Sequence, residues 1–367
     1  MSPDSMRIAL IAPLIAPLAE PQLGGVQTFL VDLARGLTGR GHDVTVFAAR
    51  GSRVDGVRVV DTGVDATLLG ATLFRPERPD AIRETRAAPA TAADDDAAFA
   101  ATAALIGEAA FDLVHNHAFD IPAIRHAATL ATPVVHTLHM PADPWVGAAL
   151  ADARRSPHPP LIAAVSEAQA LSWRTLAEID SVLRPGIPTA AIRWSTAPTS
   201  DRLLFAGGLS PEKGALEAVA IARGAGRCLL LCGPAYDPDY TARVKALSDG
   251  NAVELRPALE RSALWAEMAD SAAVLCPAGW DEPFGLVAAE ANAGDGLPPG
   301  RPPGGGRRWG DGNPGRDGRR RRGGCGVGRA DELSRQSCRS HAERHLDLEA
   351  TLDAHERIYR RAVGNRS

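Results

Sequence analysis

The sequence predicts an α/β protein of two successive units, each a parallel sheet with helices on both faces. Three observations predict it. The chain has 367 residues, more than one hydrophobic core usually supports. Short apolar runs alternate with helical patterns, the rhythm of β-α-β units. That rhythm breaks once, at residues 183–188 (LRPGIP), then restarts as it began, with strand, glycine loop and helix.

Residues 7–12 form a short apolar run suited to a strand buried on both faces. A loop at 13–25 ends in Gly24-Gly25. Val26, Phe29, Leu30, Leu33 and Leu37 then recur at helical spacing, and Gly39 and Gly41 close the helix. Residues 43–48 (DVTVFA) are the next strand, which makes a β-α-β start and implies parallel pairing. Further strands are expected at 112–115 (DLVH), 133–137 (PVVHT) and 161–165 (LIAAV). The polar, alanine-rich stretch 81–96 is aperiodic and reads as a loop or weak helix. Its Asp94, Asp95 and Asp96 lack a flanking apolar strand to aim them at a metal, so a solvated turn is expected. After the break come strands at 202–206 (RLLFA), 227–232 (RCLLLC) and 273–276, with a loop at 207–214 and a helix at 215–223. Past Asp331 a helical pattern runs to Ala362, with Leu346, Leu348, Leu352, His355, Ile358 and Tyr359 on its apolar face. The expected domains are 1–188 and 189–345, followed by a C-terminal helix over 346–363.

Composition excludes several functions. With 45% apolar residues the chain can fold, and a net charge of −4 lacks the basic footprint of a nucleic-acid binder. Five cysteines in so long a chain make no disulfide scaffold. Cys228, Cys232 and Cys276 sit in apolar runs without zinc spacing, so reduced core thiols are expected. The apolar stretch 8–19 follows Arg7, but it holds two prolines, is too short to span a bilayer and leads into a Gly-rich turn and an amphipathic helix. The expectation is therefore neither a signal peptide nor a transmembrane segment, and a cytoplasmic address.

The strongest local motif is DEPFGLVAAE at 281–290, where Glu282 and Glu290 flank the start of a helix. The free N–H groups of a helix start hold anions, and carboxylates beside them suit sugar and ribose hydroxyls. The same spacing equally fits a capped surface helix. Gly24-Gly25 and the loop GGLSPEKG at 207–214 each precede a helix, where bare backbone can approach a phosphate and Lys213 adds a full charge. A tight turn explains each glycine pair as well, and neither loop matches G-x-G-x-x-G or the P-loop. His115, His117, His136 and His139 follow two strands and should crowd the carboxyl edge of the sheet, where open α/β sheets bind ligands. No carboxylates or thiols accompany them at ligand spacing. Contact with a polar substrate, or hydrogen bonding within the loops, is expected rather than a metal centre.

Taken together, GGVQTFLVDLARGLTGRGHDVTVF, DLVHNH, PVVHTLH, AAVSEAQ, FAGGLSPEKG and DEPFGLVAAEA resemble, in order and spacing, the family-4 retaining glycosyltransferases of the GT-B fold. The most specific piece is E-x7-E with its internal P-F-G, from Glu282 to Glu290. The resemblance runs from Arg7 to about Asn292 and returns in the final helix. It implies two Rossmann-like domains facing across a central cleft, with the last helix packed back on the first domain. It implies a nucleotide-diphosphate sugar, with UDP the expected nucleotide, and an acceptor, and neither a metal nor another cofactor. Glu282 would hold donor-sugar hydroxyls and Glu290 the ribose, the amides of Gly24 and Gly25 would meet the distal phosphate, and Lys213 would neutralise the pyrophosphate. His139 would lie beside the sugar and the reacting centre, with His117 and His136 on the acceptor side. The amides of Phe284, Gly285 and Leu286 would touch phosphate or sugar.

Three departures stand out. The family's G-R-L-x-x-x-K-G has Gly208 here in place of the arginine, and Pro185 replaces the asparagine of the N-G-[IV] hinge. Residues 294–328 hold 14 of the 36 glycines and 8 arginines, where the family continues with a loop and strands. Nothing in that stretch can form a buried strand. Codons for Gly, Pro and Arg are GC-rich, and an out-of-frame reading of a GC-rich gene yields such a mixture. The abrupt loss and return of family-like sequence therefore predicts a pair of compensating frameshifts, which resequencing tests. Two rivals stay open on sequence: an impaired homologue that binds nucleotide weakly, and a GT-B sugar-nucleotide epimerase. A nicotinamide oxidoreductase would need a fingerprint the chain lacks.

Overall fold

The computed structural model describes residues 5–65, 89–280, 282–294 and 334–364. The expectations for 295–328, for most of the loop before residue 89, and for Asp281 lie outside the described residues. The chain divides into two compact units, Met1–Gly186 with Leu348–Ser367, and Ile187–Asp347. The first crossing thus falls two residues before the expected 188/189 boundary, the second two residues after 345/346.

Unit 1 holds strands β1 (Arg7–Ile11), β2 (Asp43–Ala48), β3 (Arg58–Asp61), β4 (Leu113–Asn116), β5 (Val134–Leu138), β6 (Leu161–Ala164) and β7 (Ser181–Val182). They form one sheet in the order β3-β2-β1-β4-β5-β6-β7, with every pair parallel. Between the strands run α1 (Gly25–Gly39), α2 (Pro89–Glu108), α3 (Ile121–Ala127), α4 (Pro144–Arg154) and α5 (Glu167–Trp173). Side chains alternate across the pleat. Ile8 and Leu10 therefore pack with Phe29, Leu33 and Leu37 of α1 on one face. Ala9 and Ile11 pack with Phe99 and Ile106 of α2 on the other.

Unit 2 holds β8 (Leu203–Ala206), α6 (Ala215–Ala225), β9 (Leu229–Cys232), α7 (Pro238–Leu247), β10 (Val253–Arg256), α8 (Arg261–Asp270), β11 (Ala273–Leu275), α9 (Leu286–Ala293) and α10 (Arg335–His345). Its sheet runs β10-β9-β8-β11, again all parallel. Leu203, Phe205, Leu229 and Leu231 face α6 and α7, whereas Leu204, Leu230 and Val274 face Met268 of α8 and Ala291 of α9. Helix α10 is bound in by buried cations. The Arg339 guanidinium donates to the carbonyls of Thr189 (2.8 Å), Ala293 (2.9 Å) and Ile192 (3.2 Å). The last helix, α11 (Leu348–Gly364), belongs to unit 1, where Leu352, Ile358, Tyr359 and Ala362 join the core beside α1.

Several expectations are corrected. Asp94–Asp96 lie inside α2 rather than in a turn, and Asp96 sits 3.1 Å from His126. The alanines that hid any periodicity are the strongest helix formers. The expected run to Ala362 is two helices, parted at Leu346 and Asp347, where Ile187 pairs with Asp347. Cys228 is exposed rather than a core thiol, while Cys232 is buried. His115 and His136 lie within β4 and β5, and only His117 and His139 follow the strand ends.

Candidate functional site

In a parallel sheet the loops that leave neighbouring strands in opposite directions open a crevice at the carboxyl edge. In unit 2 that point lies between β8, which leads on to β9, and β11 on its other side. Lys213 ends the one-turn 3-10 helix Pro211–Lys213 in the loop after β8. Glu282 stands in the loop after β11. The Lys213 Nζ donates to Glu282 Oε1, and the ammonium lies 4.8 Å from the centre of the Trp280 ring. The Gly279 N–H donates to the Glu212 carbonyl (2.9 Å), which ties the two loops together. Both charged side chains keep part of their surface exposed.

Gly285 caps α9 at φ 86°, a left-handed conformation that costs any other residue strain. A Cβ there would lie 3.4 Å from Glu282 Oε2, so the carboxylate rests over the helix start. Phe284 is buried, and Leu286 opens the helix. One turn further in, Glu290 is buried, and its Oε1 accepts from Arg261 Nε (2.8 Å) and Trp265 Nε1 (3.1 Å). The structure therefore brings Lys213, Glu282 and Gly285 together and gives Glu290 two partners on α8. Sequence reasoning missed Arg261 and Trp265, as well as Trp280. The only trace of the first two was an i,i+4 pair on one helix face.

Gly208 is covered by an aromatic ring. A Cβ at this position would stand 2.1 Å from a ring carbon of Tyr236, in the loop after β9. Burial and the Glu212 carboxylate push the Tyr236 phenol up to about 12. The space a larger side chain at 208 would need is thus filled from the neighbouring loop.

In unit 1 the corresponding switch lies between β1 and β4. Gly24, with extended backbone, caps α1, and its carbonyl accepts the Thr28 N–H (3.1 Å). The N–H groups at Gly25 and just after it precede that bond and are the orphan donors of a helix start. On the face toward α1 and α11, His117 Nδ1 lies 2.9 Å from His139 Nε2. His115 links Tyr359 of α11 to Thr137, at 2.7 Å each. The rings of His115 and His117 are 3.8 Å apart, and His355 of α11 stands 5.5 Å from His115. His136 alternates to the opposite face, the side of Val134. The structure thus brings His117 and His139 into contact, while His136, from the other face of β5, acts on both electrostatically. Desolvation holds all these imidazoles below their ordinary value, His139 at about 3 and His136 and His355 at about 4, so they are neutral at pH 7. Among the described residues no group of three or more His, Cys, Asp or Glu is placed to hold a metal ion. No helix there is long and apolar enough to cross a membrane.

Residues 23–191 match the family model described as Glycosyltransferase Family 4. No curated protein matches the chain by sequence. Solved structures share the fold over nearly the whole chain. One is a glycosyltransferase involved in avilamycin A biosynthesis (23% identity, 98% of each chain covered, TM-score 0.65). Another is the sucrose-phosphate synthase of Thermosynechococcus elongatus (16% identity, 98% of this chain and 100% of that, TM-score 0.71). A third is HepE of Anabaena in complex with UDP and glucose (16% identity, 96% and 99%, TM-score 0.67). At these identities the likeness is one of fold.

Proposed function

We propose that this chain is a family-4 glycosyltransferase of the GT-B fold that moves a sugar from a UDP-sugar to a small-molecule or glycan acceptor with retention, a reading supported by the family-model match over residues 23–191 and by the fold neighbours. The observation that carries the proposal is the meeting of Lys213 and Glu282 at the switch point of unit 2, beside the start of α9. A HepE structure with UDP and glucose bound supports the choice of nucleotide.

Breaking a glycosyl–phosphate bond places positive charge on the sugar and negative charge on the departing diphosphate. In unit 2, Lys213 meets that negative charge, and Glu282 accepts from sugar hydroxyls. The amides of Phe284, Gly285 and Leu286, at the positive end of α9, offer donors to phosphate or sugar. Glu290 takes the ribose. In unit 1, the start of α1 at Gly24 and Gly25 is suited to a phosphate. Neutral His139 serves the sugar, and His117 and His136 the acceptor. An uncharged His139 offers one donor and one acceptor and no net charge, so it orients hydroxyls without repelling a cationic sugar. Retention follows when the acceptor attacks the face the diphosphate leaves, with a phosphate oxygen taking the acceptor's proton. No protein base is then obligatory.

Calorimetry with UDP and GDP, followed by a donor screen by mass spectrometry, tests this. The expected result is UDP binding and consumption of a UDP-sugar with its anomeric configuration kept. Binding without turnover of any donor would favour a nucleotide-binding homologue that has lost catalysis, a reading the covered Gly208 supports.

A further inference from the structure

We infer that Arg261 and Trp265 are positioning residues that fix the Glu290 carboxylate so that it selects ribonucleotides over 2′-deoxyribonucleotides. The inference rests on the nucleotide-sugar reading of unit 2.

Three observations carry it. First, the two donors come from one helix face. Arg261 and Trp265 are one turn apart on α8, and both N–H groups end on the same oxygen, Glu290 Oε1 (2.8 and 3.1 Å). Two donors on one oxygen set the rotation of the carboxylate as well as its position. Second, the arginine is itself held, since its guanidinium carbon lies 4.7 Å from the Trp265 ring centre, where the ring face attracts a cation. Third, the place is the ligand edge. Helices that link parallel strands begin at the carboxyl edge of the sheet. Arg261 opens α8 there, and Glu290 is one turn inside α9.

A purely structural role fits this arrangement poorly. Glu290 is 3% exposed, and its neighbours Val287 and Ala291 on α9 pack with Leu204, Met268 and Trp265. An aliphatic residue could share that cluster without the cost of desolvating a charge. A carboxylate held rigidly at this edge instead recognises paired hydroxyls, and on a nucleotide the paired hydroxyls are those of ribose.

The test compares binding of UDP and 2′-deoxy-UDP by calorimetry in the full chain and in Glu290→Gln, Arg261→Gln, Arg261→Lys and Trp265→Phe, with thermal unfolding of each. The wild type is expected to prefer UDP by about tenfold or more, the range of a hydrogen bond to a charged group. Arg261→Gln should reduce that preference to about threefold or less, as should Glu290→Gln, and combining the two should reduce it no further. Trp265→Phe keeps the ring and loses the N–H, and Arg261→Lys keeps the charge and loses the planar donor. These two fold-preserving changes should give intermediate preferences even if Arg261→Gln does not fold. If the preference survives in Arg261→Lys and Trp265→Phe while only the unfolding temperature drops, the pair is structural and the inference fails alone. A wild type that binds both nucleotides equally removes the role of Glu290 as well. A wild type that binds neither UDP nor GDP overturns the proposed function itself.

Discussion

Lys213 and Glu282 stand 69 positions apart, and nothing between them announces that they meet. Their pairing follows from topology, because the loops after β8 and β11 flank the same switch point. The pair is only part-buried, so it adds about 1 kcal/mol or less to stability. Under the proposed function its value lies in ligand binding. Lys213→Met is therefore expected to lower UDP affinity about tenfold to hundredfold, the range of one charge-assisted bond, with little change in urea unfolding. Unchanged affinity beside a large loss of stability would contradict that assignment. Gly285→Ala forces a left-handed φ of 86° on a residue with a Cβ and should cost about 1–2 kcal/mol, seen as a lower thermal midpoint. At this scale the helix start within DEPFGLVAAE was legible because Gly285 and the acids on either side of it form a local pattern. Arg261 and Trp265 were not legible, because their target lies on another helix and an i,i+4 Arg–Trp pair reads as an ordinary exposed face. Gly208 was visible as a departure, but the Tyr236 ring that fills its place belongs to a different loop.

Which strands the sequence revealed depends on where they sit in the sheets. β1, β2, β4, β5, β6, β8 and β9 are flanked on both sides and almost wholly buried, and their apolar residues stand in short runs, joined in β4 and β5 by the buried His115, Asn116, His136 and Thr137. The strands that went unrecognised, β3, β7 and β10, are edge strands. RVVD, SV and VELR are short and for the most part not fully buried, and they carry charged or polar residues that an open edge permits. β11 is also an edge strand in the described sheet, yet its AVL is fully buried and was legible. The docking of α10 was not predicted, since its buried positions include arginines. Arg339 satisfies three carbonyls of the 187–347 unit, at Thr189, Ile192 and Ala293. Arg339→Met should strand those acceptors and lower the unfolding free energy by about 2–5 kcal/mol, read from urea titration of the full chain. An unchanged midpoint would show that water replaces the guanidinium and that α10 is held by its apolar contacts alone.

Over the whole molecule, unit 1 encloses an unusual number of imidazoles, from β4, β5, the residues just after them, and α11. His115, His117, His136, His139 and His355 are each held neutral by desolvation, and around them pack the Tyr359 phenol, Thr137 and the Phe29 ring. Tyr359 is itself pushed well above its ordinary value by burial, so it stays protonated and adds no charge. The sign follows directly. The folded values lie below the unfolded value of about 6.5, so below that pH the unfolded chain binds protons the folded chain refuses. Stability is then complete above pH 6.5 and falls as the pH drops toward the folded values of about 4 for His136 and His355 and about 3 for His139. Each such histidine removes about 1.4 kcal/mol per pH unit once its unfolded counterpart is protonated, and several acting together rival the 5–15 kcal/mol that typically holds a domain folded. Unit 1 is therefore expected to unfold in mild acid ahead of the 187–347 unit, between about pH 6 and pH 5. Urea titrations at pH 7.5, 6.5 and 5.5, followed by Trp173 fluorescence in a variant whose other tryptophans are phenylalanine, should show the midpoint for unit 1 dropping steeply below pH 6.5. His136→Phe should flatten that slope, because it removes one proton uptake from the unfolded state. A midpoint unaffected between pH 7.5 and 5.5 would mean that these imidazoles take up protons in the folded protein, and that the cluster is open to water.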